Sequence, residues 1–376
     1  FDVQYSNFRG STINVVTKSG TNEFSGSAYY YTYDDGLVGD KSKDREFQFA
    51  FEEETYGATL GGPIIKDKLF FFGSYEKLDR KAPQEFGATG SGAAVEIPGV
   101  TQAEYDEIAE ITQSVYRFEP GERRATLPEQ DEKILAKLDW NITGSQRASL
   151  SYQRTEGNAI VLANNSATRR ELSQPSSWYN RAITLDSWSL QLFSDWTDRF
   201  STEIKLGRKE VETRQDSLSG TDFAQMRVTT PSGGTVFVGP DVFRHANYLT
   251  NDLDQAKIHA TYFAGDHTLS AGVEYEQLDI FNLFVPRSEG EYYFNSIADY
   301  RNRRASRLDY SNAFTNNKFD AGAAFKYDVL SFYVQDRWRI TPDFELQYGL
   351  RYDEYSSSDK PLFNQNFFNR YGFSNQ

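Results

Sequence analysis

The sequence predicts an all-β fold, and within that class a transmembrane antiparallel β-barrel. Three observations carry the prediction. Segments that alternate apolar and polar residues recur in pairs around short turns, the period-2 signature of half-buried strands. Short turns and long polar connections then follow one another in strict succession, which a compact soluble domain rarely shows and a barrel with short turns on one rim and long loops on the other does. Finally, the 376 residues include 29 Phe and 24 Tyr in a chain only 38% hydrophobic. No stretch approaches the ~20 consecutive apolar residues of a transmembrane helix. A membrane protein of this composition crosses with strands, because only closed ladders satisfy the backbone in lipid.

The elements follow in order. A first strand centres near Ala28. The hairpin over 56–75 turns at 65–68 and places centres near Ala58 and Phe71. The connection 80–131 is polar but contains a helix signal: Thr101 and Glu104 form a capping box, and Tyr105, Ile108, Ile111 and Val115 follow at helical spacing. Next comes the clearest hairpin. Ile134, Ala136, Leu138 and Trp140 share one face against Lys133, Lys137 and Asp139, and Ala148, Leu150 and Tyr152 repeat the pattern after the turn. The hairpins over 188–206, 256–275 and 330–352 behave alike, with turns at 195–198, 264–267 and 341–343 and centres near Leu190, Ile204, Ile258, Val273, Phe332 and Leu346. Long loops are expected over about 34–53, 80–131, 155–179, 215–254, 282–326 and 357–376. Eleven strands is an odd count, and single-chain bacterial barrels close on an even one. The chain therefore reads as a piece, half of a 22-stranded barrel.

The polar face decides what the strands enclose. Lys133, Lys137, Glu203, Lys205, Glu274 and Arg351 recur on it, and an unpaired ion in a dry core costs several kcal/mol. A wet lumen accepts them, leaving the apolar face to lipid. Aromatics at strand ends (Tyr29 to Tyr31, Tyr33, Phe70 to Phe72, Trp140, Trp188, Trp196, Trp338) then fit interfacial girdles. The competing reading is a soluble β-sandwich or β-solenoid with these aromatics as its core.

Composition and motifs limit the function. A net charge of −14 argues against nucleic acid as a partner, and the absence of Cys removes disulfides and thiolate chemistry. No G-x-S-x-G, H-E-x-x-H or phosphate-loop frame occurs, and His245, His259 and His267 fall in a loop, on the lumen face and in a turn, so an enzyme is not expected. No cofactor is implied. The carboxylates Asp34, Asp35, Asp40 and Asp44, like Asp252 and Asp254, lack calcium-loop spacing and read as solvated loop residues. Gly61 and Gly62 read as a close approach to a neighbour. The candidate ligand site is a basic-aromatic loop cluster: Tyr292, Tyr293, Tyr300, Arg301, Arg303 and Arg304, flanked by Arg307 and Tyr310. Planar guanidinium groups and ring faces suit an anionic or peptide-like ligand. Charge balance within an acidic loop, or contact with lipopolysaccharide-type anions, are the alternatives.

The stretch FDVQYSNFRGSTINVVTKSGTNEFSGSAYYYTYDDGLVG, followed by YGATLGGPIIKDKLFFFGSYE, resembles TonB-dependent outer-membrane receptors, in particular the Oar-like group. GEYYFNSIADYRNRRAS and VLSFYVQDRWRITPDFELQYGLRYDEY extend the likeness along the chain. The resemblance implies that residues 1–22 end a plug domain, that 23–376 form the N-terminal half of the barrel, and that Ile13, Val15 and Thr17 lie on a short buried strand feeding into the wall. It implies an outer-membrane location in a Gram-negative bacterium, active uptake of an external substrate, and energy supplied by TonB with ExbB and ExbD through plug residues not recognisable here. Outer-membrane lipid and lipopolysaccharide are the implied surroundings. The substrate class stays open between peptide or protein, siderophore-like and oligosaccharide ligands. A passive porin or structural outer-membrane protein, and a secreted soluble all-β binding protein, are the rival readings.

Overall fold

The computed structural model describes residues 2–5, 16–39, 41–42, 45–46 and 51–376. Eleven long strands pair antiparallel, in sequence order, into one sheet. They are β1 (Ser25–Asp34), β2 (Glu52–Ile65), β3 (Leu69–Pro83), β4 (Thr126–Asn141), β5 (Gln146–Val161) and β6 (Tyr179–Thr197). The sheet continues through β7 (Phe200–Ser217), β8 (Asn247–Ala264), β9 (His267–Phe284), β10 (Ala323–Thr341) and β11 (Phe344–Ser356). All eleven expected centres fall within these strands. Short turns join β2–β3, β4–β5, β6–β7, β8–β9 and β10–β11, and every other connection is long. No helix among the described residues is long and apolar enough to cross a membrane.

Register converts the alternation of single strands into continuous surfaces. Leu69, Trp140, Ala148, Leu192, Ile204, Ile258, Val273, Phe332 and Tyr352 are successive cross-strand partners from β3 to β11. Displaced by one residue, the partners are Phe70, Asp139, Ser149, Gln191, Lys205, Lys257, Glu274, Ser331 and Asp353. One face is thus a belt of aliphatic and aromatic groups and the other is charged, as a period of two requires. The apolar belt is uncovered: Ile258 is 55% exposed and Phe332 45%. A soluble sandwich would bury this face, so the belt faces lipid and the charged face lines the lumen. On β6, Trp196 and Trp188 bracket Leu192 and Leu190 on the outward face. Eight residues of strand run about 26 Å, or about 20 Å once tilted. That span is close to the height of an outer-membrane apolar band. Phe70 and Phe72 depart from the girdle expectation. They sit in the charged rows, with Phe72 9% exposed, and only Phe71 of the three points outward.

The strands also outrun their apolar pattern. β6 and β10 are each 19 residues long, whereas crossing takes about 9–11. The connections that remain are 84–125, 162–178, 218–246 and 285–322, shorter than expected, while that between β1 and β2 matches its expectation. Beyond Trp188 the outward face becomes ionic. Arg154 pairs with Asp186 at 2.9 Å, Arg208 with Asp254 at 3.1 Å and Lys326 with Asp279 at 2.6 Å. Asp252 and Asp254 are therefore residues of β8 opposite Glu210 and Arg208, rather than loop carboxylates.

Those long connections fold on one another. A five-stranded sheet runs in the order Glu171–Ser173, Thr235–Val238, Gln225–Thr229, Glu291–Phe294, Arg307–Asp309, drawing strands from three connections. The fourth adds a parallel pair, Phe86–Thr89 with Val95–Thr101, and helix α1 (Gln102–Tyr116). A short helix, α2 (Ile297–Arg301), lies between two of the cap strands. The capping box of α1 is formed as expected, with Thr101 accepting from the Glu104 amide, and Tyr105, Ile108 and Ile111 are buried. They pack with Leu172, Met226, Val228, Val236, Val238, Phe294, Ile297 and Tyr300. This is the larger hydrophobic core among the described residues, and it lies in the loops.

At the N-terminus, Ile13 and Val15 lie outside the described residues, as do Asp40 and Asp44. Residues 16–24 form no strand and Val16 is 94% exposed, which corrects the buried-strand expectation for this part. A strand needs a partner for its amides and carbonyls, and no described strand lies in register with this segment.

Candidate functional site

Two short segments that precede β1 are fastened to the charged inner face. The Val3 amide donates to Gln335 Oε1 at 3.0 Å, Arg351 Nη1 donates to the Val3 carbonyl at 3.3 Å, and Lys257 Nζ donates to the Gln4 carbonyl at 3.3 Å. Lys257 also stands 5.9 Å from the centre of the Tyr5 ring. These wall residues belong to β8, β10 and β11. The second attachment is across the sheet. Lys137 Nζ on β4 donates to Ser19 Oγ at 2.9 Å. Asn22 caps the β2–β3 turn: its Oδ1 accepts from the Asp67 amide at 2.8 Å and its Nδ2 donates to Asp67 Oδ1 at 2.5 Å. Asp67 has φ of 64°, the left-handed region, so this side-chain bridge braces a strained turn. Gly20 lies so close to Gly62 and the Phe71 carbonyl that a Cβ there would overlap the backbone. The expected close approach at Gly61 and Gly62 is this contact.

The wall beneath the first attachment is a connected polar cluster. Arg351 bridges Glu274 at 3.1 Å and Asp353 at 2.7 Å, and Ser331 Oγ donates to Asp353 at 2.5 Å. Tyr333 stands at its centre. Its hydroxyl is 2.8 Å from His259 Nδ1, and Lys257 and Arg351 lie 5.5 and 5.6 Å from its ring centre. The ring fits because its cross-strand partner is Gly272, where a Cβ would collide with the phenol. Each group here is a hydrogen-bonding or ion-pairing partner. The cluster holds the peptide backbone of Val3 and Gln4.

The loop cluster singled out in the sequence lies in the cap. Tyr300 is fully buried, stacked on Tyr116 at 4.6 Å with its hydroxyl 2.8 Å from Thr112 Oγ1. It is a core residue and presents no surface to a ligand, which corrects that part of the expectation. Burial raises the pKa of both phenols, that of Tyr116 to about 12 despite the nearby Arg303, so both stay protonated. Tyr292 packs on the edge of the same core. Arg301 pairs with Glu107 of α1 at 2.5 Å, Arg303 donates to the Val115 carbonyl, and Arg304 lies 3.5 Å from Asp299. Arg301 and Arg303 thus pin α2 to α1, whereas Arg304 pairs back onto α2, and all three side chains remain exposed.

Tyr293 lies on the opposite face of the cap sheet, in a row absent from the sequence expectations. Phe237, Arg227, Tyr293 and Arg307 are successive cross-strand partners. Arg227 lies 4.8 Å from the Phe237 ring and 5.0 Å from that of Tyr293, and Arg307 lies 4.7 Å from Tyr293. Glu291, 2% exposed, receives Arg287 at 2.7 Å and Arg227 at 3.6 Å. Period 2 within the four- and five-residue strands was the available signal, but nothing in sequence reveals that they are neighbours. His245 closes this region: the Glu289 amide donates to its Nδ1 at 3.2 Å and its Nε2 faces the Pro240 carbonyl at 3.1 Å. Burial lowers its pKa to about 4, keeping the ring neutral. Among the described residues no group of three or more His, Cys, Asp or Glu is placed to hold a metal.

Comparison with known proteins agrees with this architecture. The sequence model of the outer membrane beta barrel domain family matches residues 16–104 and 108–373. The TonB-dependent transporter Oar of Myxococcus xanthus is 38% identical over 79 residues, 19% of this chain and 7% of that protein. The outer membrane transporter YddB of Escherichia coli superposes with a TM-score of 0.53 at 11% identity, covering 89% of this chain and 39% of that one. A mutant ferric enterobactin receptor of Pseudomonas aeruginosa, solved in complex with enterobactin, gives 0.51 at 12% identity over 90% and 41%. At such identities the two structures show the shared fold. The chain spans about two-fifths of their length. With its lipid-facing belt, charged inner face and matched sequence, the chain belongs to the outer membrane beta barrel domain family and resides in the outer membrane of a Gram-negative bacterium.

Proposed function

We propose that this chain is the end of a plug and the N-terminal half of the barrel of a TonB-dependent outer-membrane receptor, which takes up an external substrate by conformational change and makes or breaks no bond in it. The observation that carries the reading is the double fastening of the pre-strand segments to the inner wall, at Gln335, Arg351 and Lys257 on one side and at Lys137 and the β2–β3 turn on the other. An open porin has no use for chain laid against its lumen. Likeness to Oar supports the same assignment. In this reading residues 1–22 belong to the plug, 23–376 to a 22-stranded barrel, and TonB with ExbB and ExbD supplies the force that draws the plug from the wall. The cap shapes the outer mouth, where the exposed edges of Tyr292, Tyr293, Arg301, Arg303 and Arg304 are offered to ligands or to lipopolysaccharide anions. The test uses the whole receptor in planar bilayers and in cells. Deleting residues 1–22 together with the rest of the plug opens a large, steady conductance, and dissipating the proton gradient stops uptake by the intact protein. A conductance as high in the intact receptor as in the deletion supports a porin instead.

A further inference from the structure

The cap meets the barrel along a seam, and the seam holds a cavity of about 390 Å³. Its walls come from the chain following α1, Leu127 at the start of β4, Ile160 near the end of β5, the residues just past β7 and the turn that precedes β6. They are firmly held. The Ser176 amide donates to the Pro120 carbonyl at 2.7 Å, Ser219 Oγ donates to the Ser176 carbonyl at 2.7 Å, and the Leu218 amide donates to the Trp178 carbonyl at 3.0 Å. Phe118 is fixed by a parallel stack on Phe223 at 3.9 Å, and the Trp178 indole N–H is spent on Ser173 Oγ at 3.0 Å. Apolar surface therefore lines a preformed space, and Leu218, one of its lining residues, is 47% exposed.

The mouth of the cavity carries both signs of charge. Arg117 and Arg124 line it together with Glu119 and Glu122. Arg117 is fixed in the left-handed conformation as the C-cap of α1. Arg123, between them in sequence, turns away to bond Gln84 and the Phe86 carbonyl. The side chains of Arg117, Arg124 and Glu122 have no ion-pair or hydrogen-bond partner among the described residues. Elsewhere in the cap nearby guanidinium and carboxylate groups pair, as Arg301 does with Glu107 and Arg287 with Glu291. A purely anionic ligand would meet the two carboxylates, and a purely cationic one the two guanidinium groups. We infer that the seam cavity is a binding site for a small zwitterion with an apolar body, the chemistry of a short apolar peptide: its carboxylate goes to Arg117 and Arg124, its ammonium to Glu122, and its side chains to the Leu218 and Trp178 surface. Pockets of this volume take ligands of that size, and charged hydrogen bonds at their rims set orientation.

The test is calorimetric titration of the whole receptor in detergent with Leu-Leu, N-acetyl-Leu-Leu and Leu-Leu amide. Leu-Leu binds, and blocking either end weakens it roughly 10- to 100-fold, the scale of one hydrogen bond to a charged group. Arg117→Gln with Arg124→Gln abolishes the preference for the free carboxylate, and Glu122→Gln that for the free ammonium. All three positions are exposed, so folding is retained, and Arg169→Gln, an exposed arginine elsewhere on the cap, leaves binding unchanged. No heat with Leu-Leu, equal binding of the blocked forms, or a loss confined to one end overturns the proposal. Binding needs no energy source, so this result is separable from failure of the uptake reading.

Discussion

The barrel wall and the cap are made by one chain on opposite principles. The wall has no interior. Its apolar groups face outward as a belt across nine strands, its charges face inward, and its order comes from an uninterrupted antiparallel ladder. The cap is built like a small soluble domain, with Ile97, Val100, Ile108, Val228, Val236 and Tyr300 fully buried behind two helices. Lipid accounts for the difference. Where hydrocarbon is the solvent, apolar surface needs no cover and backbone groups must be satisfied. Above the membrane water returns, and the same chain must bury its apolar groups against one another.

The sharpest way to break the comparison is to open the cap core. Tyr300→Ala removes the stack on Tyr116 and the Thr112 hydrogen bond, and large-to-small changes of this kind cost about 3–5 kcal/mol. Limited proteolysis should then cleave within 84–125 and 285–322, while the barrel retains its heat-resistant mobility on gels. Simultaneous loss of both would mean that cap and wall fold as one unit. On the wall, the sensitive face is the outer one. Ile258→Arg, in the central apolar row, should destabilise the barrel by about 2–4 kcal/mol in urea unfolding from vesicles. Gln191→Arg, in the row facing the lumen, should change it little. Equal effects would contradict the assignment of faces.

This contrast also governs what the sequence discloses. The wall is readable because each hairpin states its own pattern: Leu138, Leu150, Leu190 and Leu206 lie in one register row, and each is flanked by polar neighbours within its own strand. The upper halves are harder to read, since Asp186, Glu210 and Asp252 put charge on the face that is apolar below while their neighbours Leu185, Val211 and Leu253 lie on the other face, so the alternation inverts along one strand. The cap is hidden for a different reason. Its strands are three to seven residues long, and three of its pairings are parallel, joining Leu172 to Val236 and Met226 to Tyr292 across distant connections. No local pattern encodes such neighbours. Helix α1 is the exception, because its cap and its stripe are local. The basic-aromatic cluster was visible as composition, but whether Tyr300 faces a ligand or a core depends on α1, almost two hundred residues away.

A pH-dependent difference should separate the regions next. His245 is neutral in the folded cap with a pKa of about 4, below its ordinary value of 6.5. The unfolded cap therefore binds the proton more readily. The stabilisation is complete above about pH 6.5 and drains away as the pH falls towards 4, by up to about 3 kcal/mol. Hydrogen exchange of 225–245 and 285–291 should accelerate over that window, and His245→Gln should flatten the dependence.

The smallest expected effect tests whether the cap is cooperative at all. Thr101 accepts from the Glu104 amide, and in return Glu104 Oε2 accepts from the Thr101 amide at 2.8 Å while its other carboxylate oxygen accepts from the Ser232 amide at 2.9 Å. Thr101→Ala removes only the cap hydroxyl and should cost about 1 kcal/mol. If the cap is one unit, exchange should quicken equally in α1 and in the strands Gln225–Thr229 and Thr235–Val238 that come from another connection. If the loops are independent, the change stops within α1. The Glu104 carboxylate, which touches both connections, is the physical reason to expect the former.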